Sequence, residues 1–96
     1  MRLDRSDDVC TFHVDTDANG RPERLDTIHG QLIPTDLVIK VDLAKVQIVT
    51  SPDLAHLVEL YKDTTKRGKS MILKNVQAPV RKVLSVTRLD QLLMVD

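Results

Sequence analysis

The chain has 96 residues, 42% of them hydrophobic and 29% charged, and its formal net charge is zero. This composition is typical of a folded, soluble protein of one domain and argues against intrinsic disorder. Phe12 and Tyr61 are the only aromatic residues. The expected core is therefore aliphatic. Two aromatic side chains are too few for the stacking platforms that bind single-stranded nucleic acid.

The sequence shows the pattern of neither a membrane span nor a secretory signal. No window approaches the roughly 18 consecutive apolar residues of a membrane span. Residues 1–8 lack the apolar segment of a secretory signal, and Cys10 has no second cysteine with which to form a disulfide. We therefore expect a cytoplasmic protein that does not insert into a membrane.

Charge is unevenly distributed along the chain. Residues 1–61 hold six basic and eleven acidic side chains, whereas residues 62–96 hold eight basic and three acidic ones. Lysine and arginine near the ends of helices suit the helix dipole, so part of this excess is expected on solvated helix faces. An acidic protein partner fits the distribution better than nucleic acid or a membrane surface.

The first third of the chain contains weak signals of secondary structure. Val9–Val14 is short and rich in β-formers, which predicts a strand, and residues 15–20 have the composition of a turn. Residues 22–31 predict a short helix with Pro22 in its first turn. Its apolar side would consist of Leu25, Ile28 and Leu32.

Stronger signals begin at residue 37. The nearly continuous apolar run 37–43 predicts a central strand covered on both faces, interrupted only by Lys40 and Asp42. A second apolar run, 46–49, follows it. Residues 51–67 predict the best helix of the chain, with Ser51 as its N-cap and Gly68 as its left-handed C-terminal cap. Its apolar side consists of Leu54, Leu57, Val58 and Tyr61.

The remaining elements complete an α/β order. Residues 70–76 predict a strand, Pro79 opens another helix, and residues 92–95 predict a terminal strand. Alternating strands and helices of this kind favour right-handed crossovers and a small, mainly parallel sheet with helices packed on it. We expect one domain over residues 1–96.

From residue 37 onward the sequence resembles the STAS family, the anti-sigma-factor antagonists and their relatives. The resemblance is carried by the strand LVIKVDL at 37–43, the segment VQIVTS at 46–51 and the helix start LAHLV at 54–58. It continues through GKSMILKNV at 68–76 and VRKVLSVTRLDQLLMV at 80–95. Residues 1–36 resemble the family only loosely, as if its first helix were shortened.

This resemblance implies an α/β STAS-like fold and a functional turn before the main helix. Family members carry Asp-Ser-Ser/Ala-Gly-Leu there, and a partner kinase phosphorylates the serine. In this chain Ser51 occupies the serine position, Thr50 replaces the aspartate and Asp53 replaces the glycine. Thr50 provides a second hydroxyl and is a second phosphorylation candidate.

The implied function is partner switching by a bacterial transcription regulator, with an anti-sigma factor or serine kinase as the partner. The resemblance implies neither catalysis nor a cofactor. The alternative within the fold is an unphosphorylated subunit of a larger assembly with other STAS subunits, such as a stressosome-like or lipid-transport complex. The expected contact residues are Thr50, Ser51, Pro52, Asp53, Leu54, His56, Glu59 and Lys62.

A third hypothesis concerns calcium. Asp15, Asp17 and Asn19, followed by Gly20, match oxygen-bearing and glycine positions of an EF-hand loop. However, Pro22 and Asp26 depart from that loop, a strand precedes it, and tight turns favour the same residues. We therefore treat the three residues as weak metal candidates.

Catalysis requires a nucleophile, a base and an orienting group. His13, His29 and His56 are scattered without a ligand companion at metal-binding spacing, and Ser51 and His56 are expected on different helix faces. Cys10 is expected to be a small buried residue. The sequence therefore predicts a binding protein without a catalytic site.

Overall fold

The computed structural model describes residues 1–96 and contains one sheet of five strands in the order β1-β2-β3-β4-β5. Strand β1 is antiparallel to β2, and every other neighbouring pair is parallel. The strands are β1 (Arg2–Ser6), β2 (Val9–His13), β3 (Val38–Asp42), β4 (Ser70–Lys74) and β5 (Met94–Val95). The helices are α1 (Ser51–Lys66), α2 (Ala78–Val86) and α3 (Leu89–Leu92).

The core lies on one face of this sheet. In β2, β3 and β4 alternate residues are buried, because successive side chains of a strand point to opposite faces. Helices α1 and α2 add their apolar stripes to the same core. The buried side chains of these elements are Cys10, Phe12, Ile39, Val41, Met71, Leu73, Leu57, Leu60, Val80 and Leu84.

The opposite face of the sheet is open, and this corrects one prediction. Thr11, Lys40 and Ile72 lie in one row across β2, β3 and β4, and all of them remain partly exposed. Strand β3 is therefore covered on one face only, although its apolar run predicted burial on both. Lys40 and Asp42, which interrupt that run, occupy the open face.

Strand β1 was missed by the sequence prediction. It forms the antiparallel edge of the sheet, with Leu3 opposite Phe12 and Arg5 opposite Cys10. Only Leu3 among its residues is even partly buried, so the segment carries almost no apolar alternation. The loosely matching N-terminal third therefore contributes two strands, the predicted β2 and the missed β1.

The predicted helix over residues 22–31 is wrong. Pro22 forms an extended bridge with Thr16, and Arg24 adopts the left-handed conformation with a φ of 60°. Two short 3-10 turns, Leu25–Thr27 and His29–Gln31, follow instead. Leu25 and Ile28 are nevertheless buried on the predicted apolar side, because a single helical turn is enough to bring them together.

The predictions for the C-terminal half are largely confirmed. Helix α1 covers residues 51–66, and Gly68 after it has a φ of 76°, as expected of a left-handed cap. Strand β4 and helix α2 lie where their patterns place them. The terminal strand is shorter than predicted, because α3 takes residues 89–92 and leaves only Met94–Val95 extended.

An ion pair between the exposed Arg5 and the buried Asp36 connects β1 to the segment before β3. Asp36 is 1% exposed and accepts hydrogen bonds from Arg5 Nε at 3.0 Å and from the Ile33 N–H at 3.0 Å. The hydrogen bond from Arg5 is the main reason that the pKa of Asp36 lies below its ordinary value, although burial opposes it. Burial, followed by the charge of Asp36, raises the pKa of the Cys10 thiol to about 11.

Lys69 completes this buried polar region. Its ammonium donates hydrogen bonds to the backbone carbonyls of Ile33, at 3.0 Å, and of Asp36. The side chain is buried, and its charge is solvated by peptide oxygens rather than by water. Residues 33–36 are thereby attached to the turn between α1 and β4.

We expect Asp36→Asn to lower the free energy of unfolding by about 2 kcal/mol at pH 7, because the hydrogen bonds to the charged Asp36 carboxylate are lost or weakened. A lowered pKa in the folded state means that this stabilisation is present above about pH 4 and is lost as the pH falls further. Urea titrations of both proteins at pH 7 and pH 3 measure the difference.

Asp26→Asn is the matched control. Asp26 is exposed, and its substitution removes an equal charge outside the ion pair. It should change the free energy of unfolding by less than about 0.5 kcal/mol. An equal effect of the two substitutions at pH 7 would contradict the role given to Asp36.

Candidate interaction surface at the start of helix α1

The segment that enters helix α1 is held in place by the loop at residues 15–22. The N–H groups of Gln47 and Ile48 donate hydrogen bonds to the Gly20 carbonyl at 2.9 and 3.2 Å. Gly20 has a φ of 81°, and a Cβ atom there would lie 3.0 Å from Cβ of Gln47. The close approach of the two backbones therefore requires glycine at position 20.

The N-cap of α1 is Thr50, not Ser51 as the sequence predicted. The backbone N–H of Thr50 donates to Asp53 Oδ2 at 2.8 Å, and its hydroxyl donates to the same oxygen at 2.9 Å. These contacts form a capping box, in which the third helical residue binds back to the cap. Asp53 is only 9% exposed as a result.

The side chain of Ser51 consequently does not help to hold the helix start in place. It is the first residue of α1 and its side chain is exposed. The hydrogen bonds that fix the helix start belong to Thr50 and Asp53, and the Ser51 hydroxyl faces solvent without a partner in the chain. A modifying enzyme could therefore reach this hydroxyl without opening the fold.

The exposed side of α1 forms a continuous surface that we call the α1 stripe. After the adjacent pair at its start, its residues recur every three or four positions, which places them on one side of the helix. The stripe consists of Ser51, Pro52, Ala55, Glu59, Lys62 and Lys66. Lys62 and Lys66 form no ion pair within the chain, whereas Arg67 beyond them pairs with Asp63 at 3.3 Å.

The predicted contact residues divide into two groups in the structure. Ser51, Pro52, Glu59 and Lys62 lie on the α1 stripe. The other four are less accessible: Thr50, Leu54 and His56 are half-buried, and Asp53 is buried. Asp53 therefore shapes the turn from within and offers no contact surface, because its carboxylate is turned toward Thr50.

The calcium candidates serve other contacts. Asp17 Oδ1 accepts hydrogen bonds from the N–H groups of Asn19 and Arg21 at 2.8 and 3.1 Å, and these bonds lower the pKa of Asp17. Asp15 contacts the Met1 amino group and lies 3.7 Å from Lys45 Nζ. No three acidic, histidine or cysteine side chains are placed to hold a metal ion together.

Cys10 and the histidines also take up separate positions. Cys10 is buried, His29 is exposed and His56 is half-buried on α1. His13 lies between Asp4 and Asp42, a cluster that sequence reasoning missed because its members are distant in the chain. The only available signal was that positions 4, 13 and 42 each fall on a charged or polar side of a strand.

Comparison with protein families decides the assignment. The model of the STAS domain matches residues 3–95, nearly the whole chain. The chain belongs to the STAS domain family. A search of curated protein sequences gives no match for this STAS domain. None of its helices is both long and apolar enough to cross a membrane.

Solved structures share the fold of this STAS domain at low sequence identity. The crystal structure of a candidate anti-sigma factor antagonist from Thermotoga maritima superimposes with a TM-score of 0.76 at 20% identity. The match covers 98% of this chain and 83% of that one. A sulfate transporter family protein from Wolinella succinogenes gives a TM-score of 0.74 at 16% identity, covering 88% and 73% of the two chains.

The two departures of this STAS domain from the family turn are coupled to each other. The resemblance expects aspartate at position 50 and glycine at position 53, where this chain has Thr50 and Asp53. These two side chains hydrogen-bond to one another across the first turn of α1. The carboxylate has therefore moved from the cap to the third helical residue, and Ser51 keeps its exposed position.

We expect Asp53→Ala to lower the free energy of unfolding by about 1 kcal/mol, because the Thr50 N–H loses its acceptor. Ser51→Ala should change it by less than about 0.5 kcal/mol, since the Ser51 hydroxyl makes no bond in the folded chain. Chemical denaturation of the two variants measures both values. The reverse order of the two effects would restore Ser51 as the cap.

Proposed function

We propose that this STAS domain is a regulatory protein-interaction module that binds its partner through the α1 stripe. The family is one of partner-binding modules, and a structural neighbour is a candidate anti-sigma factor antagonist. The stripe adds a specific surface, which begins with the exposed residues Ser51, Pro52 and Ala55. Lys62 and Lys66 add unpaired positive charge at its other end, which suits an acidic partner surface.

The leading form of this function is partner switching in the manner of an anti-sigma-factor antagonist, controlled by phosphorylation of Ser51. The observation that carries it is the exposed and unbonded Ser51 hydroxyl at the start of α1. A phosphate there adds a charge of roughly −1.5 to −2 and three hydrogen-bond acceptors. The positive end of the helix favours such an anion, so the modification leaves the fold intact.

Asp53 determines where that phosphate points. Its buried carboxylate already accepts the Thr50 N–H and hydroxyl, so these donors are not free for a phosphate on Ser51. Repulsion between the two anions directs the phosphate to the solvent side of the helix start, away from Asp53. The added charge then lies on the α1 stripe, where it opposes a complementary partner surface.

Thr50 is the weaker phosphorylation candidate. Its hydroxyl is half-buried and engaged with Asp53, so its phosphorylation would place an anion against a buried carboxylate.

The proposed protein acts in the cytoplasm, and it binds its partner without a cofactor and without catalysing a reaction. The single domain over residues 1–96 is the unit that binds.

The alternative is an unphosphorylated subunit of a larger assembly. The observation in its favour is that several large apolar side chains are exposed away from the α1 stripe, among them Val86 at 75% and Met94 at 60%. A switch between two proteins does not need these additional surfaces. A large complex of fixed stoichiometry on purification from the native host would support this alternative.

The test of the leading function begins with a pull-down of the tagged chain from the native organism and mass-spectrometric mapping of phosphopeptides over residues 46–62. The recovered partner is then titrated calorimetrically with the wild-type chain and its variants. Ser51→Ala should bind with unchanged affinity, whereas Ser51→Glu should bind at least about tenfold more weakly, because a charge opposes the interface.

Ser85→Glu is the matched control, because Ser85 is an exposed serine on helix α2, outside the α1 stripe. It should bind as the wild-type chain does. Equal affinities of all these proteins would overturn the phosphorylation switch. An effect of Lys62→Glu without any effect of Ser51→Glu would retain the α1 stripe as an interface and reject Ser51 as its control point.

A further inference from the structure

Strand β1 is a free edge of the sheet. It pairs with β2 on one side only, and residues 2–6 make no backbone hydrogen bond outside that pairing. In an antiparallel pair, alternate residues direct their N–H and C=O groups away from the neighbouring strand. The edge at β5 is only two residues long. Strand β1 therefore offers the longer row of unpaired backbone groups to a further strand.

The side chains of β1 determine which strand fits beside it. Charges on an edge strand ordinarily prevent pairing with unrelated strands. Arg2 and Asp4 lie on the open face of the sheet, and their side chains are 71% and 59% exposed. Leu3 between them lies on the covered face, opposite Phe12, and is half-buried. Opposite charges thus flank an apolar residue, and this pattern is complementary to its own reversed copy.

The registers open to two copies of β1 can be compared directly. When two copies pair antiparallel around a two-fold axis, opposite residues lie on the same face, and one residue meets its own copy at the axis. An axis at Arg2, Asp4 or Arg5 places two like charges directly opposite each other, which is destabilising. An axis at Ser6 sets β1 against the turn that follows it. An axis at Leu3 places leucine against leucine and Arg2 opposite the partner's Asp4, twice.

The contacts already made by these charges permit the register centred on Leu3. Asp4 uses Oδ2 to accept from His13, whereas its Oδ1 forms no hydrogen bond within the chain and is available to the partner's Arg2. Arg5 comes to lie opposite the partner's Met1, but its guanidinium already binds Asp36 on the covered face. The Met1 amino group contacts Asp15 of its own chain. Neither of these positive charges therefore opposes the approach of the second copy.

We propose that β1 is a dimerisation edge, at which two copies of this chain pair antiparallel about Leu3 and join their sheets into one. Arg2 and Asp4 form two reciprocal ion pairs on the open face, and the two Leu3 side chains cover each other on the opposite face. The contact is short, so the dimer is weak and reversible. The α1 stripe lies on a different element and stays free, so this inference does not depend on the proposed function.

Sedimentation equilibrium measures the dimer. The average mass should rise from the 10.8 kDa of one chain toward twice that value between about 10 μM and 1 mM. Asp4→Arg places two arginines opposite each other and should raise the dissociation constant at least about tenfold. The double variant Arg2→Asp/Asp4→Arg exchanges the two charges and should dimerise as the wild-type chain does.

Asp26→Arg is the matched control for Asp4→Arg. It changes the net charge equally at an exposed position outside the sheet, so its dissociation constant should be that of the wild-type chain. Circular dichroism and urea unfolding establish that each variant is folded.

Disulfide formation locates the contact and its register. Opposite Cα atoms of an antiparallel pair lie about 4.5–5.5 Å apart, within the range that a disulfide spans. Mild oxidation should therefore join two Leu3→Cys chains, while the native Cys10 is buried. Ser6→Cys is the matched control, because the two Ser6 residues lie about 20 Å apart in this register.

Four results would overturn the proposal. They are a wild-type chain that stays monomeric up to 1 mM, an Asp4→Arg variant that dimerises as the wild-type chain does, a double variant that stays monomeric, and equal cross-linking of Leu3→Cys and Ser6→Cys.

Discussion

The structure depends on the alignment of three parallel strands that bury alternate residues on the same face. The strand register places Phe12, Val41 and Leu73 in one row and Cys10, Ile39 and Met71 in the next. Because a shift of one residue would turn these side chains to the open face, the register is strongly specified. Helices α1 and α2 must then cover that face, and α1 must begin at the edge where the strands end.

The polar contacts follow from the same one-sided burial. Side chains that alternate with the core residues reach the open face, where His13 meets Asp4 and Asp42 in solvent contact. Charges that fall on the covered side need a partner, and Arg5 finds Asp36 there. The covered face thus contains one ion pair that anchors the edge strand, and the open face contains the hydrogen-bonded cluster of Asp4, His13 and Asp42.

Apolar patterning was sufficient to predict the elements that bury much apolar surface. Helix α1 has a helical repeat, and strands β3 and β4 have apolar runs, because each contributes an apolar side to the core. Strand β1 has no such pattern; it is held by its antiparallel ladder with β2 and by the hydrogen bonds from Arg5 to Asp36, which lies 31 residues away. Sequence pattern contains no direct signal for a pairing over that distance.

The turn before α1 shows a finer limit of sequence reasoning. Thr50 and Ser51 are both good caps by propensity, so the choice between them depends on a third residue. Asp53 stands three positions after Thr50, the spacing of a capping box, and this spacing was the signal that identified Thr50. Predicting where the turn before α1 lies was therefore easier than predicting which hydroxyl it leaves free.

The attachment of residues 47 and 48 to Gly20 has a consequence for the strength of partner binding. Fixing the backbone of a mobile residue costs about 1–2 kcal/mol of conformational entropy, and a floppy loop would incur that cost on association. Here the two hydrogen bonds to the Gly20 carbonyl order the approach to Ser51 before any partner arrives. The start of the proposed contact surface is therefore preorganised, which lowers the entropic cost of any association through it.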